Sequence, residues 1–118
     1  MEMNSAVDSL AALAQDTRLG AYRLLVQAGP NGMPAGEVAA NLGLPPNTLT
    51  FHFDRLRQAG LVTVRRNGRS MIYAARYDTM NALLAYLTEN CCGGQPDRCA
   101  PVGCAPSEST SRTEEIAS

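Results

Sequence analysis

All four cysteines of this 118-residue chain fall close together near its end: Cys91, Cys92, Cys99 and Cys104. Clustered thiols in a chain with no secretion signal point to metal or redox chemistry rather than structural disulfides. The opening MEMNSAVDSLAALAQ has no basic segment followed by an apolar block, so the expected compartment is the cytoplasm, where thiols stay reduced. The spacing is a vicinal pair, six residues, a third cysteine, four residues and a fourth, which is not the double C-x-x-C of a zinc site. The only histidine, His52, is far away in sequence, and the nearby carboxylate Asp97 is an optional ligand. A site built from thiolates alone favours soft, thiophilic ions. Trivalent arsenic or antimony takes three sulfurs in a pyramid, and Gly93-Gly94 let the chain turn back to supply them. The expected ligands are Cys91, Cys92 and Cys99, with Cys104 a substitute third ligand or a spare. Methylated arsenite has two open positions, so Cys91 with Cys92, or Cys92 with Cys99, would suffice for it.

The chain ahead of the cysteines is long enough for one domain with its own core. Its apolar fraction is 45%, and no run approaches the ~20 apolar residues that span a membrane. Ser5 to Gln15 reads as an amphipathic helix with Val7, Leu10, Leu13 and Ala14 on one stripe. Asp16 is placed to cap a second helix, Thr17 to Ala28, carrying Leu19, Tyr22, Leu25 and Val26, which Gly29-Pro30-Asn31-Gly32 ends. Pro34 opens a third helix, Ala35 to Leu42, with Val38, Ala39 and Leu42 facing inward and Gly43 as its C-cap. After Leu44-Pro45-Pro46, Asn47 is placed to cap a fourth helix, with Thr48 sharing that role.

Leu49, Phe53 and Leu56 fall on one stripe of this fourth helix, while Thr48, Thr50, Phe51, Arg55 and Gln58 lie on the other side. Gly60 stops it, and Leu61 to Arg66, a turn at Asn67-Gly68 and Arg69 to Ala75 read as a β-hairpin. Two short helices joined by a tight glycine turn make a helix-turn-helix, whose second helix enters the major groove of DNA. The charge pattern agrees. The chain carries a net charge of -1 and no lysine, yet Arg55, Arg57, Arg65, Arg66, Arg69 and Arg76 face a single acid, Asp54, between positions 47 and 76. That segment is therefore basic where phosphate contact needs it, whatever the sign of the whole.

Asp78 is placed to cap a last helix to about Asn90, with Met80, Leu83, Leu84 and Leu87 on one stripe. This stripe and that of the first helix are expected to pack across a two-fold axis, giving a C2 dimer suited to a pseudo-palindromic operator. The expected fold class is mainly α with a β-hairpin wing, a homodimeric winged helix-turn-helix spanning residues 1–90. From Cys91 the sequence is rich in Gly, Pro, Ser and Thr. Residues 91–118 therefore read as a flexible inducer-binding tail, disordered from about Ala105. No internal repeat is present.

This order of elements resembles the ArsR family of winged-helix repressors, bacterial metal and metalloid sensors, from about Ser5 to Asn90. ALAQDTRLGAYRLL is similar to the family's Arg-Leu-x-x-x-x-Leu-Leu run. TLTFHFDRLRQAGLV resembles its hydroxyl-x-hydroxyl-x-His-Leu recognition segment, with Thr48, Thr50 and His52 in place and Phe53 where Leu is usual. RRNGRSMIY resembles its basic wing. The resemblance implies a homodimer that leaves its operator when an inducer binds. Carried over by position, Asn47, Thr48, Thr50, Phe51, His52 and Arg55 become candidate DNA contacts, with Arg65, Arg66 and Arg69 on the wing. His52 lies close to the core stripe, which favours a structural hydrogen bond over a base contact. Founding arsenic sensors of the family carry a Cys-Val-Cys pair at the recognition helix, and here no cysteine precedes Cys91. The tail instead resembles members with a C-terminal vicinal pair and a third cysteine downstream. Relatives that sense zinc or cadmium use Asp/His sites on the last helix, and residues 78–89 hold no histidine.

Enzyme chemistry has little to stand on, since there is no phosphate-cradling glycine loop, no βαβ pattern and no acid/base constellation. The expected function is a metalloid-responsive repressor. The alternative is a winged-helix regulator controlled by thiol redox or by another soft metal.

Overall fold

Proline, glycine and small-residue positions set where each element of this domain begins and ends. The computed structural model describes residues 1–95. The order is α1 (Met3–Leu13), α2 (Asp16–Ala28), β1 (Met33–Pro34), α3 (Ala35–Leu42), α4 (Pro46–Gln58), β2 (Val62–Asn67), β3 (Ser70–Ala75) and α5 (Tyr77–Leu87). A short 3-10 turn follows at Cys91–Gly94. One compact unit spans Met1–Thr88, and a second begins at Glu89. The fold class read from the sequence, mainly helical with a winged helix-turn-helix, is the one observed.

Three expected caps are not the caps that form. Gln15, not Asp16, closes the start of α2, its side chain accepting from Arg18 N–H at 2.9 Å. Gln15 holds the extended backbone that an N-cap needs, which leaves Asp16 inside the first turn. Neither Asn47 nor Thr48 caps α4. Pro46 opens that helix, because its fixed φ and missing N–H suit the first helical position. Asp78 likewise lies within α5, which starts at Tyr77. It accepts from Thr79 N–H and from Arg76 Nη2, and the Arg76 bond is the leading reason its carboxyl sits below the usual range. The last helix also stops short of Asn90, where the Thr88 hydroxyl donates to Leu84 C=O at 2.8 Å.

The C-terminal stops are those the glycines imply. At α4, Leu61 N–H donates to Leu56 C=O and Gly60 N–H to Arg57 C=O, with Gly60 at φ 76. This is the paired bonding of a Schellman stop. It also delivers Leu61 to the core, fully buried. α3 ends the same way at Gly43.

The sheet is antiparallel in the order β1-β3-β2. β2 and β3 pair from Val62↔Ala75 to Asn67↔Ser70. The two-residue loop is therefore Gly68-Arg69, one position later than the expected Asn67-Gly68. Gly68 alone takes positive φ there, as in type II′ rather than type I′ turns. β1 is too short to show in any period-2 pattern and contains a proline. It pairs with β3 at Met33↔Tyr73 and Pro34↔Ile72. Gly32 permits this approach, because a β-carbon there would collide with the Tyr73 carbonyl and its φ is +79.

The core gathers Leu25, Val38, Leu49, Phe53, Leu56 and Leu61, all fully or almost fully buried. Phe53 lies flat against Tyr73 of β3, ring centroids 3.9 Å apart at 16°. α1 meets this core through small side chains. It buries the small residues Ala6, Ser9 and Ala12, leaving Val7 and Leu10 exposed.

Candidate nucleic-acid interface and thiol pair

α4 owes its amphipathic character to burial of Leu49, Phe53 and Leu56. With a helical repeat of about 100° per residue, Asn47, Thr48, Phe51, Arg55 and Gln58 then share the opposite face, and all are exposed. Phe51 is 61% exposed, a large aromatic that the monomer leaves in solvent. Thr50 is on the flank and donates its hydroxyl to Pro46 C=O at 3.1 Å. The helix backbone thus occupies its donor.

His52 occupies the other flank, half-buried, edge-on to Phe51 at 5.6 Å. Its Nδ1 lies 3.4 Å from a guanidinium nitrogen of Arg18 on α2. Burial first, and the Arg18 charge second, hold its pKa below 6.5. The expected structural hydrogen bond of His52 is therefore present. Arg18 itself was not among the sequence-derived site residues. It is the arginine of the Arg-Leu-x-x-x-x-Leu-Leu run, but its partner on α4 is remote in sequence, so that run did not show its contact.

The wing carries the rest of the positive charge. Arg65, Arg66 and Arg69 are all exposed, with Arg69 in the hairpin loop itself. Arg65 is partly committed, since its Nη2 donates to Asn31 C=O at 3.0 Å and so ties the wing to the turn before β1. Among the described residues the ion pairs are Arg57 with Asp54 and Arg76 with Asp78. Arg55, Arg66 and Arg69 are left to face solvent. α4 and the wing thus present one surface chemistry: hydroxyl, amide and aromatic groups on the helix, guanidinium groups on the helix and hairpin.

Cys91 and Cys92 are both exposed. Asn90 and Cys92 take positive φ, 58 and 56, and Gln95 N–H donates to Cys92 C=O, so the pair sits in a tight turn. Among the described residues no three His, Cys, Asp or Glu side chains cluster closely enough to hold a metal. Cys99 and Cys104, and all of the expected tail beyond residue 95, lie outside the described residues.

An apolar groove of about 380 Å³ runs between α2 and α5, lined by Leu19, Tyr22, Val26, Met80 and Leu84 among others. The Tyr22 hydroxyl beside it is buried with no hydrogen-bond partner. Burial, helped by Tyr77, pushes that phenol up to about 12. None of the described helices is long and apolar enough to cross a membrane.

A helix-turn-helix domain family matches residues 13–65. The uncharacterised HTH-type transcriptional regulator YceK of Bacillus subtilis is 33% identical over 73 residues, 62% of this chain and 72% of YceK. The transcriptional activator HlyU of Vibrio cholerae is 32% identical over 89 residues, 74% of this chain and 80% of HlyU. A structure of HlyU in its reduced form superposes with a TM-score of 0.60 at 26% identity, covering 73% of this chain and 90% of that one. A homodimeric winged helix-turn-helix DNA-binding domain from Mycobacterium bovis, Mb0332, is a possible ArsR-family regulator. It superposes with a TM-score of 0.60 at 23% identity, covering 79% of this chain and 86% of that one.

This chain belongs to the HTH-type transcriptional regulators, and its fold is a winged helix-turn-helix. In this fold α3 and α4 are the helix-turn-helix, and β2 with β3 form the wing. The basic stretch from Arg55 to Arg76 runs from α4 through the wing of this fold.

Proposed function

We propose that this regulator is a homodimeric repressor of the ArsR type that releases its operator when trivalent arsenic or antimony is taken up by the cysteines after α5. Asn47, Thr48, Phe51 and Arg55 would meet base edges, with the Thr50 methyl and Phe51 ring suited to thymine methyl groups. His52 would support the helix from its flank. Arg65, Arg66 and Arg69 would grip phosphates, which position the protein without reading sequence.

Two features support the dimer. α1 turns its small residues inward and its large ones outward, and Leu84 and Leu87 of α5 are more than half exposed. α1 and α5 lie side by side, with the Tyr86 hydroxyl 3.4 Å from Met3 Sδ, so these apolar residues belong to one pair of neighbouring helices. A second copy covering them would set two recognition helices about one DNA turn apart, as a palindromic operator needs.

The observation that carries the sensing assignment is the exposed vicinal pair Cys91-Cys92, together with the absence of any cysteine from α4. Each As–O bond of arsenite would be exchanged for an As–S bond, the thiol proton leaving with the hydroxide as water. Cys91 and Cys92 supply two sulfurs, and Cys99, or Cys104 in its place, supplies the third. Methylated arsenite would need two. Ligation just after the last helix would reorder the tail and shift the dimer seam, changing the separation of the two copies of α4. Arsenic K-edge absorption on the arsenite-loaded protein tests the site. Three sulfur neighbours are expected, and an oxygen shell, or unchanged loading after Cys91→Ser with Cys92→Ser, would overturn it.

A second reading has a specific support: a relative, HlyU, is described in a reduced form. Here a peroxide would oxidise the two thiols to a disulfide, with two electrons passing to the peroxide and water leaving. Another soft metal at the same thiolates belongs to this second reading too.

A further inference from the structure

The recognition helix is held to the domain by an apolar stripe, Leu49, Phe53 and Leu56. Apolar packing is non-directional, so it fixes the depth of α4 better than its rotation about its own axis. One directional contact reaches the flank of the helix. Arg18 of α2 places a guanidinium nitrogen 3.4 Å from Nδ1 of His52. Its Nε donates to Ala12 C=O in the last turn of α1 at 2.6 Å, and its backbone N–H is the one that Gln15 caps. One side chain thus joins the end of α1, the start of α2 and the flank of α4.

A guanidinium has five N–H donors and no acceptor. The Nδ1 of His52 must therefore offer a lone pair, which puts the proton of the neutral ring on Nε2. A protonated ring has N–H at both nitrogens, so it would set donor against donor and cation against cation.

We propose that Arg18 is a positioning residue for DNA reading: by donating to a neutral His52 it sets the rotation of α4, and protonation of His52 releases the helix. This rests on α4 being the DNA-reading helix. The charged residues on elements packed against α4 are Asp8 of α1, Asp16, Arg18 and Arg23 of α2, Glu37 of α3, and Arg65 and Arg66 of β2. Of these, Arg18 is the one whose charge acts on His52. On α4 itself, Asp54 is engaged by Arg57, and Arg55 is exposed. Because burial and Arg18 both disfavour the imidazolium, the tether is complete above the ordinary histidine pKa of 6.5 and is lost as pH falls below it. The sign matters. A histidine that touched phosphate would bind DNA more tightly when protonated; this one should bind less tightly.

The test is direct because His52 is the sole histidine. The full-length protein is used to select a duplex from a randomised pool at about pH 7.5, and affinity for it is compared with that at about pH 5.5 at fixed ionic strength. Imidazole nitrogen chemical shifts, which need no variant to fold, report the tautomer. The neutral ring is expected to carry its proton on Nε2, and acid is expected to weaken binding roughly tenfold per subunit. Arg18→Met should weaken binding similarly near neutral pH and raise the His52 pKa. His52→Asn, whose amide oxygen replaces Nδ1 as acceptor, should bind equally at both pH values. A proton on Nδ1, affinity that is flat or rises in acid, acid weakening that persists in His52→Asn, or wild-type binding by Arg18→Met each overturns the proposal. Selection of no duplex would overturn the DNA-reading assignment itself, an outcome distinct from a failed tether.

Discussion

Replacing Phe53 by leucine probes the joint between the recognition helix and the wing. Phe53 is fully buried and stacks on Tyr73. Leucine keeps most of the apolar contact but loses the ring stack, worth about 0.5–1.5 kcal/mol, and leaves a gap worth about another 1 kcal/mol. The expected cost is roughly 2 kcal/mol, or about 8–16 °C in melting temperature for a domain of this size. Phe53→Ala should cost roughly 4–5 kcal/mol, close to the whole stability expected of a domain of this size, so leucine is the informative change. Urea unfolding of Phe53→Leu, Tyr73→Leu and the double variant isolates the stack as the coupling between the two. A coupling of roughly 0.5–1.5 kcal/mol is expected. A neutral Phe53→Leu, or costs that simply add, would refute the claim that this ring pair locks α4 to β3.

Further outcomes follow from single residues. Gly32→Ala should lower stability by about 2 kcal/mol or more, read by thermal denaturation, because the new β-carbon meets the Tyr73 carbonyl at a positive φ. Tyr22→Phe should be neutral or stabilise by up to about 1 kcal/mol in urea unfolding, since it removes a buried hydroxyl with no partner. The wild type should also lose stability as pH rises from 10 towards about 12, where the unfolded phenol ionises and the buried one does not; Tyr22→Phe should lose less. Arg66→Ala and Arg69→Ala should each weaken DNA binding on all sequences alike and reduce the salt slope by about 1 per subunit.

What the sequence showed depended on the range of the physics involved. The α4 stripe of Leu49, Phe53 and Leu56 and the glycine stops at Gly43 and Gly60 are local, so periodicity and turn chemistry located them. The caps failed because residue type alone suggested Asp16, Asn47 and Asp78, whereas Gln15 holds the extended backbone of an N-cap and α4 and α5 begin earlier, at Pro46 and Tyr77. The hairpin was legible while its turn was not, since Asn67-Gly68 and Gly68-Arg69 differ by one residue of register. β1 and the Arg65 bond to Asn31 left no trace in any sequence pattern, and the runs holding Arg18 and His52 were legible while the contact between them was not. Each joins residues remote along the chain. The outward face of α4 was read correctly as exposed. The α1 stripe was expected to pack across a two-fold axis rather than into the core, and the fold leaves Val7 and Leu10 exposed.

The central claim is that thiols after α5 control DNA binding by α4 and the wing. Fluorescence anisotropy of a labelled, selected duplex, titrated first with arsenite and then separately with peroxide under defined thiol conditions, tests it most directly. Arsenite should release the duplex from the wild type and not from Cys91→Ser with Cys92→Ser. Release by peroxide alone would favour the redox reading. Release by arsenite that survives loss of both cysteines would contradict the claim.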